Sequence, residues 1–102
     1  MAQVRWTDFA IDELNQIGEF ISNDSLLYAE ITVSELFAAT DILEKFPKTG
    51  TTVRMFQNEN IRQLIKGSYR IIYLIIDAES IDILTVHHGS RLISNIVGDT
   101  TK

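Results

Sequence analysis

Residues 61–88 read IRQLIKGSYRIIYLIIDAESIDILTVHH, and this stretch decides the fold that we predict for the 102-residue chain. It contains three runs rich in β-branched and aromatic residues, which predict three strands over residues 61–66, 69–76 and 81–87. Gly67-Ser68 suits a two-residue hairpin turn, and residues 77–80 suit a four-residue turn. Because both links are short, the three strands are expected to pair as an antiparallel meander.

The preceding half of the chain has helical periodicity. Val4-Arg5-Trp6 predicts a short first strand, and apolar residues at helical spacing predict helices over about residues 8–22 and from about 26 to 45. Pro47 disfavours helix at Phe46 and ends the second helix. The two helices, joined by about three residues, are expected to fold back on each other. We therefore predict an α+β fold of order β-α-α-β-β-β, with the helix hairpin packed on one face of a small antiparallel sheet.

One domain is expected to span residues 1–102, with a frayed tail over about 92–102. The hairpin turns assign side chains to two faces of the sheet. Face one carries Arg62, Leu64, Tyr69, Ile71, Tyr73, Ile75, Leu84, Val86 and His88. Face two carries Gln63, Ile65, Arg70, Ile72, Leu74, Ile76, Ile81, Ile83, Thr85 and His87.

Both faces are largely apolar, and the helix hairpin can cover only one of them. Which face it covers stays open. The other would expose an apolar patch larger than a soluble monomer usually tolerates, so we expect a partner to cover it. The alternatives are cover by the 47–60 loop, by the tail or by a second copy in a homodimer.

Charge is distributed unevenly along the chain. The net charge is −5, but residues 1–44 hold one base and nine acids, whereas residues 45–102 hold eight bases and five acids. The acidic total argues against strong non-specific nucleic-acid binding. The acids of the helices, Glu13 among them, are interpreted as solvated surface.

Other features of the composition concern the compartment. There is no cysteine, which excludes disulfides and fits a reducing compartment. The first residues show no basic segment followed by an apolar one, and no apolar run is long enough to cross a membrane. We expect a cytoplasmic protein that does not bind membranes.

Five short motifs, taken together, resemble the ParE/RelE superfamily, the toxins of bacterial type II toxin–antitoxin modules. They are Trp6-Thr7, Phe46-Pro47-x-x-Gly50, Ile61-Arg62-Gln63-Leu64, Tyr69-Arg70-Ile71-Ile72-Tyr73 and Val86-His87-His88-Gly89-Ser90-Arg91. The resemblance covers nearly the whole chain and implies the same fold as the periodicity. It also implies a cognate antitoxin, whose C-terminal segment wraps the toxin and folds as it binds.

The superfamily contains two activities. RelE-like members resemble ribosome-dependent messenger-RNA endoribonucleases, and ParE-like members inhibit DNA gyrase. A ribonuclease here would rely on Arg70 and Arg91 for phosphate charge and on His88 as acid or base. The chain lacks a Tyr or His after Arg91, and Gln63 and Ile65 flank Arg70 on its predicted face. The gyrase-directed branch, which needs a binding surface rather than catalytic residues, is therefore favoured, and a degenerate member that only self-associates is a third reading.

We predict that seven residues bind the target or the antitoxin: Arg62, Arg70, Ile72, Leu74, Ile83, His87 and Arg91. Plainer roles compete for some of them, since the Arg62 stem could simply pack along the ring of Tyr73. His87 and His88 are adjacent in a strand and point to opposite faces, so they cannot easily share a metal ion. No metal and no cofactor are expected.

Overall fold

A computed structural model describes residues 1–89 of the chain, so Arg91 and the tail predicted to fray lie outside the described residues. The helices are α1 (Asp8–Ser22) and α2 (Leu26–Ala38). The strands are β1 (Gln3–Trp6), β2 (Thr51–Thr52), β3 (Ile61–Lys66), β4 (Tyr69–Asp77) and β5 (Ser80–His88). Short 3₁₀ turns lie at Asp41–Glu44, Pro47–Thr49 and Arg54–Phe56. The α+β class is confirmed, with the two-residue strand β2 as an addition to the predicted order.

The five strands form one sheet in the order β1-β5-β4-β3-β2. The meander of β3, β4 and β5 is antiparallel as predicted. β1 pairs parallel to β5, from Gln3 opposite Ser80 to Trp6 opposite Ile83, so the sheet is mixed. The Arg5 guanidinium spans this pair and donates to both carboxylate oxygens of Asp82, at 3.1 and 3.0 Å.

A side-chain hydroxyl caps the N-terminus of each helix. The Thr7 hydroxyl accepts from the backbone N–H of Ala10 at 3.2 Å and donates to the carbonyl of Ile83 at 2.8 Å, which fixes α1 to the sheet. The Ser25 hydroxyl accepts from the N–H of Tyr28 at 3.1 Å and begins α2.

The second helix is shorter than predicted, because it ends at Ala38 and not near Lys45. The Thr40 hydroxyl donates to the carbonyl of Phe37 at 3.0 Å and accepts from the indole N–H of Trp6 at 3.2 Å. The bond from Thr40 to the Phe37 carbonyl competes with the backbone hydrogen bonds that would continue the helix. The chain instead forms the 3₁₀ segment Asp41–Glu44.

The helix hairpin covers face one. Buried side chains of the helices, the strands and the segments beside them form one core between the two layers: Ala2, Ala10, Leu14, Leu36, Leu43, Ile71, Tyr73, Ile81, Ile83 and Val86. Placing Ile81 and Ile83 on face two was wrong. The register passes from Ile72 opposite Thr85 to Tyr73 opposite Ile83, which leaves Leu84 as a bulge. The side chains at the start of β5 therefore lie on the faces opposite to those predicted.

Face two is less open than predicted. Two residues of this face, Ile72 and His87, are buried within the chain itself. Ile65 and Ile76, at opposite ends of this face, are 66% and 49% exposed. The continuous apolar patch predicted from the sequence is thus divided into two separate ends.

The buried phenol of Tyr73 ties the Phe46–Gly50 segment to the sheet. Its hydroxyl donates to the carbonyl of Pro47 at 2.6 Å and accepts from the N–H of Gly50 at 3.0 Å. Arg62, opposite Tyr73 in β3, adds a bond of 2.8 Å to the carbonyl of Gly50. One strand pair therefore holds the loop that leads from the helices to the sheet.

We expect Tyr73→Phe to lower the free energy of unfolding by about 1–3 kcal/mol, because it leaves the Gly50 N–H and the Pro47 carbonyl without their partner. Urea denaturation measures the change. The matched control is Tyr28→Phe, since Tyr28 is exposed. Equal stability of the two variants would contradict this role of the Tyr73 hydroxyl.

Stability should also fall at alkaline pH. Burial raises the pKa of Tyr73 above its ordinary value of 10.0, although the Gly50 N–H and Arg62 oppose the shift. The folded chain then keeps a proton that the unfolded chain releases, so stability is unaffected below about pH 10 and falls as pH rises toward the folded pKa. Denaturation curves taken across this pH range should show a smaller fall for Tyr73→Phe than for the wild type.

Candidate functional site

The turn between β3 and β4 forms one candidate site. Gly67, with a positive φ of 59°, and Ser68 make this turn, and the N–H of Gly89 donates to the carbonyl of Ser68 at 2.6 Å. The ends of three strands thereby surround a shallow depression of about 310 Å³. Its lining is Ile65, Gly67, Ser68, Tyr69, Arg70, His88 and Gly89, and we name it the turn-end site.

Arg70 is the cation of the turn-end site. Its register partners on the two neighbouring strands are Ile65 and His87. Within residues 1–89, the Arg70 guanidinium makes no ion pair or hydrogen bond. A half-buried cation beside an exposed Ile65 is a group that an anionic ligand or partner would stabilise.

Tyr69 and His88 lie opposite each other at the same end of the sheet. Their rings meet edge to face, with centroids 5.5 Å apart and planes at 79°. Burial, and secondarily the nearby Tyr28, raises the pKa of Tyr69 above 10.0. The Tyr69 phenol therefore keeps its proton near neutral pH, which makes it a poor general base.

The other predicted site residues are spread over the molecule. Arg62 lies on face one, where its guanidinium bonds the carbonyls of Glu59 and Gly50, at 2.9 and 2.8 Å. Ile83 is fully buried beneath the helices and is not available on face two. Ile72 and His87 are buried, and Leu74 is half-buried. The structure brings only Arg70, His87 and His88 together, and the binding roles of these residues remain predictions.

Glu13 has a role that the sequence did not reveal. β1 ends opposite Ile83, so the rest of β5 has no strand on that side among the described residues. One carboxylate oxygen of Glu13 accepts from the Thr85 hydroxyl at 2.5 Å and from the Val86 N–H at 3.0 Å. The interpretation of Glu13 as solvated surface is therefore wrong, because this side chain caps the open edge of β5.

Sequence reasoning also missed an apolar surface on the helix hairpin. The exposed large residues there are Phe9, Phe20, Leu26, Leu27, Tyr28, Ile31 and Phe37, with Leu27 at 69% exposure. The signal is in LLYAEITVSELFA, the sequence of α2, where apolar residues outnumber polar ones and occupy exposed as well as buried positions. A helix with apolar residues on several sides normally packs on more than one of them, whereas helical spacing alone indicates only the inward stripe of α2.

Across residues 1–89, no cluster of three or more His, Asp or Glu side chains could hold a metal ion. No helix within the same residues is both long and apolar enough to cross a membrane.

Comparisons with known proteins agree with this architecture. Residues 4–93 match the family model of the ParE toxin of the type II toxin–antitoxin system parDE. The chain is 31% identical over 91 residues to "Putative toxin Y4kP" of Sinorhizobium fredii. The aligned region covers 87% of this chain and 90% of that protein.

Two solved structures share the fold. One, from the chromosomal ParDE system of P. aeruginosa, superposes with a TM-score of 0.71 at 16% identity, covering 86% of this chain and 96% of that one. The other, from the toxin–antitoxin complex RelBE2 of Mycobacterium tuberculosis, gives a TM-score of 0.61 at 24% identity, covering 85% and 90%.

The match to the ParE model, together with the helix hairpin on a mixed sheet, places the chain in the ParE/RelE superfamily of toxins. Within it, the chain belongs to the ParE toxin family of type II toxin–antitoxin systems.

Glu13→Ala should destabilise the protein by about 1–3 kcal/mol, because the Thr85 hydroxyl and the Val86 N–H lose their acceptor. Hydrogen exchange at the Val86 amide should accelerate by more than global unfolding explains. Glu19→Ala, which removes an exposed carboxylate from the same helix, is the control. Unchanged exchange at Val86 would show that another group holds this edge.

Proposed function

We propose that the chain is a toxin that inhibits DNA gyrase by binding it and that a cognate antitoxin neutralises it. The observation that carries this proposal is the match of residues 4–93 to the ParE toxin family. The turn-end site supports it physically, because Arg70 lies there without an internal partner among the described residues and beside the exposed Ile65.

The surroundings of Arg70 favour binding over catalysis. General acid–base chemistry needs groups that exchange protons near neutral pH within reach of the reacting atoms. His87, the direct neighbour of Arg70 on β5, is buried, the Tyr69 phenol keeps its proton near neutral pH, and His88 is the one histidine in the lining of the site. A cation on an apolar rim suits recognition of a protein surface without a chemical step.

Neutralisation would follow from covering that rim. The solved relatives come from toxin–antitoxin systems, and the exposed ends of face two offer apolar side chains that a folding segment could bury. An antitoxin carboxylate placed on Arg70 would compensate its charge and block the turn-end site. Since gyrase acts in the bacterial cytoplasm, that is where the toxin would work.

A ribosome-dependent endoribonuclease is the second candidate. Arg70 and His88 leave their strands on opposite faces, yet both line the turn-end site because it lies at the ends of the strands. A guanidinium and an imidazole sharing one depression are groups that cleavage of an RNA phosphodiester could use.

Purified protein should inhibit supercoiling of relaxed plasmid by gyrase while leaving messenger RNA intact on translating ribosomes. Arg70→Ala should weaken this inhibition about tenfold or more, because the proposed contact is charged. Arg54→Ala, which removes an exposed arginine outside the turn-end site, should leave the inhibition unchanged. Circular dichroism of each variant verifies that it is folded.

Ribosome-dependent cleavage that Arg70→Ala abolishes would replace the proposal by the second candidate. Activity in neither assay, with dimers in analytical ultracentrifugation, would identify a member that only self-associates. The antitoxin arm is separate: the small protein encoded beside the toxin should restore supercoiling when added in equimolar amount.

A further inference from the structure

A second pocket lies at the far end of β4 from the turn-end site. It is a half-open cavity of about 930 Å³ between the 3₁₀ segments and the last residues of β4. The lining residues that matter here are Ile42, Lys45, Phe46, Lys48, Ile76 and Asp77, and we name it the Phe46 pocket. Ile76 is six residue steps along β4 from Arg70, which is about 20 Å at 3.3 Å per residue.

The apolar part of this pocket is exposed, and hydrogen bonds hold the backbone beside it. Phe46 is 62% exposed although it lies beside the tightly held Pro47. The Thr49 hydroxyl donates to the Phe46 carbonyl at 2.6 Å, which closes the turn on its other side. These bonds fix the backbone of the loop, so less backbone freedom is lost when a ligand enters, and preorganisation of this kind favours binding.

Positive charge prevails on the rim of the pocket, whose lining contains two lysines and one aspartate. Lys45 and Lys48 are exposed, and across residues 1–89 neither ammonium group forms an ion pair. Asp77 is the one carboxylate in the lining, and its Oδ1 accepts from the Glu79 N–H at 2.8 Å within the β4–β5 turn. A ligand with an apolar group and a negative charge would complement the pocket.

The edge of β4 inside the pocket favours a peptide as that ligand. β3 begins at Ile61, opposite Leu74, and the last bond between the two strands runs from the Ile75 N–H to the Asn60 carbonyl at 2.8 Å. Beyond it, no described strand lies beside Ile76 and Asp77 on the β3 side. An extended segment could hydrogen-bond to that edge while its side chains enter the pocket.

We propose that the Phe46 pocket docks an acidic segment of a partner protein, with a large apolar side chain between Phe46 and Ile76 and carboxylates on Lys45 and Lys48. A second copy of the chain is disfavoured, because an identical surface brings lysines against lysines. This inference goes beyond the proposed function and does not depend on the target of the toxin.

Synthetic peptides test the proposal with the full chain. The probe is a fluorescein-labelled peptide with two leucines flanked by glutamates, and its control carries lysines in place of the glutamates. Fluorescence anisotropy should give a dissociation constant about tenfold lower for the glutamate peptide. The difference should shrink as salt is added, since exposed charges are screened.

Matched variants locate the site. Lys48→Glu and Ile76→Asp should each weaken binding of the glutamate peptide about tenfold. Lys66→Glu and Ile31→Asp, which change exposed residues of the same types away from the pocket, should leave it within about twofold. Backbone amide shifts in NMR spectra should change around residues 42–49 and 75–78.

Equal affinity for the two peptides, or absence of binding, would overturn the proposal. So would a loss of affinity in Lys66→Glu as large as that in Lys48→Glu, since this would indicate attraction to net charge alone. Because Lys48 and Ile76 are exposed, thermal unfolding should remain near that of the wild type in these variants, and a supporting result requires it.

Discussion

The bridge from the Tyr73 hydroxyl to Pro47 and Gly50 is the contact on which the arrangement of the two layers depends. It leaves no room for any residue but glycine at position 50: an added Cβ would lie 2.5 Å from the Gln63 carbonyl oxygen and 2.7 Å from the Tyr73 hydroxyl oxygen. The constraint is spatial, because the φ of Gly50 is an ordinary −71°. Holding this loop against the sheet also sets the position of Phe46 and the exit of the helices.

The meander could be predicted because its signals are local. Gly67-Ser68 and the turn before β5 impose antiparallel pairing whatever the rest of the chain does. The bulge at Leu84 could not be predicted, since residues of both parities in Ile81–Val86 include apolar side chains and the pattern selects no register. What decides it is the packing of Ile81 and Ile83 beneath the helices, a contact between distant segments.

The errors in the predicted end of α2 and in the role of Glu13 also arise from contacts between distant segments. Thr40 ends α2 with help from Trp6, and Glu13 caps β5 through Thr85, and in both pairs the partners are far apart in sequence. Of the candidate site, Arg70 and its neighbours followed from strand pairing alone. The Phe46 pocket did not, because it forms where a 3₁₀ segment meets the end of β4, and neither periodicity nor turn chemistry reports that contact.

Each end of β4 places a cation beside exposed apolar side chains, and the two ends lie apart. The acids of residues 1–44 lie mainly on the helices, whereas Arg70 at one end of β4 and Lys48 near the other provide cations beside exposed apolar side chains. The buried Ile72 separates these ends. Because a segment covering Arg70 need not reach a pocket about 20 Å away, occupation of one end does not by itself exclude occupation of the other. A segment that covered only the turn-end site would therefore leave the Phe46 pocket open.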